Sequence, residues 1–543
     1  IMATKYAPTI NRPRNKFKMP HELGTTFNGA LVVPLDWQEI LPGDHLSKKV
    51  SYIVRMLTPT NPVMDNAYLN ISAYFVPYEI IWNQFKQFMG QNESSAWTDS
   101  NTYLVPAVAI GGSLTNVCNP GTIGDYLGLP TGSGIPGQTR ISVLPLRGYM
   151  SIWNYWYRNE NLVDPVLFTK ESADFSAASY SVNYGSTPLP SMKLPDYFTT
   201  CLPAPSKITP VDLAPATAVV GGARHTALVG NPTTFTNAAG QAVTDTGTLH
   251  LSSGTLDYVE DSGAPGEGND IAIDNLWTTA GNLTIESIRR AAVYQHIGEI
   301  LARGGSRYAS EFLVNIFGVK NSESLFDEPE FLGSIDTMIN MTEVTSNADT
   351  AQPATLTGRI LGSNGAFSKT TGNNHLFEHT FTRHGMVFVL ATVRHRETYF
   401  QGIEKKWTRS SFFDFYLPQA QGLGFQKVLK QEIYSTDSDS QGANAKAVFG
   451  YQDYGAEYRY QPNRLTGYLK PNITGGLPTW TYAQILASMP TLGPSFIQAD
   501  KSGFDRASNV NVGSAYQFFG NFYFDDEWIR VVGVQRFPGL DVI

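Results

Sequence analysis

The chain has 543 residues, a net charge of −8, only 16% charged residues and two cysteines, Cys118 and Cys201. That balance excludes a generic nucleic-acid binder and a secreted disulfide framework, and no run approaches the roughly 18 apolar residues of a membrane span. With 42% apolar residues and many Gly, Pro, Tyr and Phe, the composition is that of a turn-rich β protein with a large core, and its sparse charge fits either a large molecule with relatively little surface or a surface covered by other copies.

Residues 1–20 read as a polar arm. Lys5, Arg12, Arg14, Lys16 and Lys18 all precede the first acid, Glu22. Five cations on a short arm of an acidic chain can neutralise phosphates; the plain alternative is an ordinary solvated terminus. The arm has no apolar leader segment, so the expectation is a protein folded in a cytoplasm.

Residues 25–35 and 48–57 are strand candidates, with the turn signal Pro42-Gly43-Asp44 between them. Residues 64–89 carry the clearest pattern of the chain. Ala67, Leu69, Ile71, Ala73 and Phe75 alternate with Tyr68, Asn70, Ser72 and Tyr74, the period of a half-buried strand. Pro77 cannot extend a central ladder, so the strand is expected to stop there. Ile81, Phe85 and Phe88 then recur at helical spacing, with Gly90 as C-cap. The three strands are expected to lie together in one antiparallel sheet.

Residues 91–142 read as long loops. In 145–162, Tyr149, Ile152, Trp153 and Trp156 make an aromatic helical stripe, expected to pack on the sheet. Residues 203–283 shift towards Ala, Thr, Gly, Pro and Val; between 204 and 248 the sole aromatic is Phe235. They read as one long insertion, too poor in large side chains to build a full core. Helical spacing resumes over 284–303, with Ile285, Ile288, Ala292, Val293, Ile297, Ile300 and Leu301, and a short helix is expected over 310–317. Further strands are expected at 332–344, 385–394, 447–460 and 516–534. Strands at both ends of the chain, with helices and loops between, predict one β sandwich with elaborated connections.

Three motifs invite chemistry. His375, Glu378 and His379 match the inverted zincin pattern, which requires a helix to bring both histidines to one metal. The flanking residues alternate as a strand, and a strand would hold the histidines about 13 Å apart, so neither catalysis nor zinc is expected. The 437–442 stretch opens like a calcium loop, but position twelve is Val448, which offers no carboxylate. Asp525, Asp526 and Glu527, beside Trp528, read as a solvated or interface-facing acidic turn, with metal binding as the alternative. No cofactor is expected.

Several stretches together resemble the major capsid proteins of microviruses, the small single-stranded-DNA bacteriophages, in their gokushovirus branch. They are the 145–162 segment ending in WNYWYRNENL, Asp196-Tyr-Phe-Thr-Thr-Cys-Leu-Pro-Ala-Pro205, Arg303-Gly-Gly-Ser-Arg-Tyr308 and Glu330-Phe-Leu-Gly333. Arg383-His-Gly385, Tyr399-Phe-Gln-Gly402, the run FDFYLPQAQGLGFQKVLKQEIY, Gly455-Ala-Glu-Tyr-Arg-Tyr460 and Phe519-Gly-Asn-Phe-Tyr-Phe524 complete the set. Each is weak alone, and together they span nearly the whole chain in order. Residues 203–283 depart from the pattern.

The resemblance implies an eight-stranded antiparallel jelly roll, a viral β-sandwich with long, partly helical loop insertions. Residues 21–202 and 284–543 would form the shell domain, 1–20 the arm, and 203–283 a surface insertion at the threefold axes. It also implies a T=1 icosahedral shell with fivefold, threefold and twofold contacts around circular single-stranded DNA. A small basic DNA-binding virion protein and a host surface receptor would be partners, and the virion, assembled in the bacterial cytoplasm, the location. The competing classes are a β-rich zinc hydrolase using His375, Glu378 and His379, and a receptor-binding surface protein that forms no shell.

Overall fold

A computed structural model describes residues 13–92, 103–109, 119–131, 140–172, 187–208, 285–305, 307–319, 327–345, 347, 364–435, 446–508 and 516–533, with the backbone of short strands between 235 and 272. The chain divides into two compact units, Ser206–Leu301 and the remainder.

The larger unit is mainly β. Its principal strands are β1 (Asn15–Lys18), β2 (His21–Phe27), β3 (Val33–Ile40), β4 (His45–Met56), β5 (Ala67–Pro77), β6 (Glu330–Met338), β7 (Thr370–Thr380), β8 (Gly385–His395) and β9 (Phe518–Arg530). One antiparallel sheet runs β2-β9-β4-β7, with β1 on the same edge of β9 as β2; the other runs β6-β5-β8-β3. Met19 and Pro20 separate β1 from β2 on that edge, where a missing N–H is tolerated.

Strand β4 alternates strictly, with Leu46, Lys48, Val50, Tyr52, Val54 and Met56 buried. β9 follows the same rule with Phe518, Phe522, Phe524 and Trp528. These side chains meet Ile71 and Ala73 of β5 and Val387 and Val389 of β8 in a single core. Two antiparallel sheets sharing one apolar interior are consistent with a β-sandwich.

β8 is buried on both faces. The helix α1 (Leu144–Ile152) and the wider turn Trp153–Tyr157 cover its outer side. Tyr149, Ile152 and Trp153 pack there with Met386, Phe388 and Leu390. The close approach depends on Gly148, where an added Cβ would stand 2.7 Å from the Phe388 ring. Tyr149 and Trp153 follow the expected stripe. Trp156 does not: it is 40% exposed, because the π turn changes the angular step and rotates it off the helix face.

Several strand expectations need correction. Residues 25–35 hold parts of two strands, broken near Ala30, whose φ is +68°. The expected three-strand sheet is not formed: β3 and β5 flank β8 in one sheet, and β4 lies in the other. The chain crosses over at Pro42-Gly43-Asp44, where Gly43 takes a φ of +87°. Residues 332–344 are split after Met338, and Met341–Thr345 pairs with Asn364–Ser368. Residues 447–460 hold only Val448–Asp453, paired with Phe425–Leu429, before Gly455 turns the chain into a short 3-10 turn. Pro77 does end β5, but the helix after it is two single turns, Tyr78–Ile81 and Phe85–Phe88.

In the smaller unit, Phe235–Asn237 pairs with both Ala242–Val243 and Ile271–Ala272, and Gly247–Ser252 forms a hairpin with Thr255–Glu260. The helix α2 (Ile285–Gly304) forms where the spacing predicted. Its first half does not bury the expected stripe; Ile285, Ile288 and Val293 are exposed. Among the described residues no helix is long and apolar enough to cross a membrane.

Candidate functional site

The arm residues come first. Lys5 and Arg12 lie outside the described residues. Lys16 and Lys18 stand on β1 and share Glu527 of β9, at 2.7 and 3.0 Å, and both side chains remain more than half exposed. Two lysines on one carboxylate leave surplus positive charge, and they hold Glu527 down at about 2. Arg14 lies over the Gly43 turn.

Directly beneath this edge is an ionic cluster that the sequence reading missed. The Lys48 ammonium, fully buried, donates to Oδ2 of Asp36 at 2.7 Å and to Oδ2 of Asp526 at 2.6 Å. Gln38 also donates to Asp526, and His21 Nε2 lies 3.3 Å from Asp36. Burial penalises both carboxylates. At Asp36 the charges of Lys48 and His21 outweigh it, and the group titrates below its ordinary range. At Asp526 burial wins and the group is raised. The hydrogen bond to Asp36 raises His21 despite its partial burial.

His21, Asp36 and Asp526 are the one set of three ligating side chains, among the described residues, close enough to share an ion. The Lys48 ammonium already bridges both carboxylates, so the donor set is that of an ion-pair network. The expectation of an acidic turn at 525–527 is corrected: these residues are in mid-strand, Asp526 facing inward and Asp525 and Glu527 outward.

The zincin pattern lies on β7, as the alternation predicted. Its three side chains take three separate partners. His375 Nε2 contacts Ser47 Oγ at 3.3 Å, Glu378 pairs with His45 at 3.2 Å, and His379 faces Glu330 at 3.8 Å. A bulge between His375 and Phe377 interrupts the regular alternation between them. Residues 437–445 of the calcium-like loop lie outside the described residues, as does Cys118. Cys201 is a free, buried thiol, pushed up by that burial.

A second constellation lies in the connection between β8 and β9. Two adjoining cavities, of about 250 and 530 Å³, share Lys405, Arg409, Glu432 and Glu457 on their walls. The smaller is backed by Tyr399 and Tyr460, the larger by Phe413, Phe415 and Tyr416. Together they form a groove of aromatic faces and cations beside the Phe425–Leu429/Val448–Asp453 ribbon.

Glu432 closes the bottom of the groove. Its Oε1 accepts the Leu429 amide at 2.9 Å, and burial pushes it up to about 7. The unfolded carboxyl releases its proton near the ordinary value of about 4.3, so between these values the folded state holds an extra proton. Stability should therefore fall as pH rises through that window, by up to ~4 kcal/mol at 1.36 kcal/mol per unit. Urea unfolding at pH 5 and pH 8 should show Glu432→Gln gaining on the parent at pH 8 and matching it at pH 5. An unchanged difference at both would mean that Glu432 is charged throughout.

The chain matches the family model described as capsid protein (F protein) over residues 6–540. It is 31% identical to capsid protein VP1 of Chlamydia phage 1, covering 99% of this chain and 98% of that protein. Capsid protein VP1 of Spiroplasma virus 4 is 31% identical over 91% of this chain and 89% of its own length. Capsid protein VP1 of Bdellovibrio phage phiMH2K is 31% identical over 96% of this chain and 95% of its own. With the match running from end to end, the chain belongs to the capsid protein (F protein) family, as a structural, non-enzymatic component of a bacteriophage virion.

Proposed function

We propose that the chain is the wall subunit of a closed T=1 icosahedral shell around circular single-stranded DNA. The observation that carries this is the strand order. Counting β1 with β2, eight strands fall into two four-stranded sheets, β2-β9-β4-β7 and β3-β8-β5-β6. Every consecutive pair of these strands changes sheet except β5 and β6, which pair side by side, and that winding supports an eight-stranded jelly roll. Long connections leave this frame after β5 and after β8, which suits a wall whose loops meet neighbouring copies. Tyr308, Phe317 and Val319 are 69, 64 and 54% exposed on one short segment. An apolar group of that kind marks a contact surface, and in a shell it meets another copy.

In this reading the arm residues Lys5, Arg12, Arg14, Lys16 and Lys18 face the genome, beside a small basic virion protein that shares the neutralising task. Residues 203–283 project outward, pack around the threefold axes and engage the host surface. The small residues of that stretch support it, because a wall must bury large apolar side chains.

Electron microscopy of purified particles tests all three parts. The parent chain should give closed T=1 shells. Deletion of residues 206–281, closed by a Gly/Ser linker, should still assemble but attach poorly to the host. Serine at the five arm positions should release DNA at lower salt. Open sheets or monomers from the parent would end the shell reading. Loss of assembly in the deletion would make that stretch part of the wall, and unchanged DNA retention would remove the arm from the genome contact.

A further inference from the structure

We propose that the groove between residues 405–416 and the Phe425–Leu429/Val448–Asp453 ribbon binds a short run of single-stranded nucleic acid, with bases on Phe413 and Phe415 and phosphates at Lys427 and Lys446. The proposal rests on the shell reading and names a second place, away from the arm, where wall meets genome.

The side chains are arranged for it. Phe413 is 79% and Phe415 53% exposed, on a tight turn whose backbone is fixed by Asp414. The Asp414 carboxylate accepts the amides of Ser410 at 2.9 Å and Ser411 at 2.7 Å. Tyr416 is stacked on Tyr454 at 5.3 Å, which extends the flat surface. Rings held rigidly on short turns lose little freedom when a base stacks on them, and every base offers a π face.

Charge favours the same occupant. Lys405, Arg409, Lys427 and Lys446 line the larger cavity against Asp414, Glu432 and Glu457. Glu457 faces Lys405 at 3.3 Å and Arg409 at 3.8 Å. Asp414 is engaged by its own turn, and Glu432 lies buried beneath. Lys427 and Lys446 are left exposed, with no ion pair among the described residues. The Arg409 guanidinium lies over Phe415 and Tyr458, at 5.3 and 4.7 Å, and its buried Nε has no hydrogen-bond partner among the described residues. An apolar patch of a neighbouring copy would cover the rings but leave these cations unpaired. A strand of bases and phosphates serves both.

The test is fluorescence anisotropy of the full-length chain with a labelled oligothymidylate of about twelve nucleotides, titrated over a range of salt. Phe413→Ala/Phe415→Ala should weaken binding about tenfold or more at every salt concentration, with the salt slope kept. Lys427→Ser/Lys446→Ser should lower the slope by about 1.4, two phosphates at 0.7 each. Both variants should still form closed particles. The lysine pair is on the surface and leaves the fold intact, so its result stands even if the phenylalanine pair destabilises the turn. Absence of oligonucleotide binding by the parent, or unchanged affinity and slope in the variants, overturns the proposal. So does normal oligonucleotide binding with lost particle formation, which would assign the groove to a neighbouring copy. If the parent itself forms no particles, the shell reading fails separately and the titration still decides the groove.

Discussion

Lys48→Met is expected to abolish folding of the subunit, with a loss of about 3–5 kcal/mol. Lys48 is fully enclosed and holds two carboxylates, one of them, Asp526, with no exposed side-chain surface. Removing the ammonium leaves two acids facing each other in an apolar interior, with only His21 and Gln38 to compensate. The penalty is mostly that of stranded charge, not of a lost attraction, since a buried ion pair contributes little net stability by itself. The double variant Lys48→Met/Asp526→Leu should therefore recover a large part of the loss. Soluble yield and urea unfolding of both variants are the measurement. A Lys48→Met subunit as stable as the parent would show that water reaches the cluster. A double variant as unstable as the single one would show that the network itself organises the sheet.

Trp153→Ala is the second large effect, at about 3–5 kcal/mol. The side chain is 3% exposed, sits in the cluster that covers β8, and its Nε1 donates to the Pro190 carbonyl at 2.8 Å. Truncation opens a cavity and strands that carbonyl. Trp156→Ala is the internal comparison. At 40% exposure, with one hydrogen bond to the Pro329 carbonyl, it should cost markedly less, on the order of 1 kcal/mol. Its rings with Tyr74 and Phe331 are a lateral contact and not a core. Thermal melting of the two variants should separate them clearly. Equal losses would mean that the π turn does not turn Trp156 outward in solution.

Most local elements were legible in the residues alone. The strands expected at 66–76 and 516–534 and the helix expected at 284–303 form at Ala67–Pro77, Phe518–Arg530 and Ile285–Gly304, but Ser72 and Tyr74, expected on an open face, are buried. Assignment to the capsid proteins was legible too, because short motifs recur in order along the chain. Lys48 carried a signal that went unread: it is in phase with Val50, Tyr52 and Val54, so a lysine there must be buried with a partner. The partner itself was beyond reach. Asp526 lies 478 positions away, and no local pattern links the two.

What the sequence by itself determined is where the long periodic strands lie and, for 45–56, which face is apolar; the bounds at 25–35, 332–344 and 447–460 were not fixed by it. Tertiary structure alone decided which strands pair, that β3 and β4 enter different sheets across a four-residue connection, and that a π turn puts Trp156 outside the core. A period of two specifies a buried face but names no neighbour, because any strand of matching polarity can satisfy the same edge. Pairing is settled only when both sheets close on one core, and the charges of Lys48, Asp36 and Asp526 can be buried together only in the arrangement that brings all three to one point.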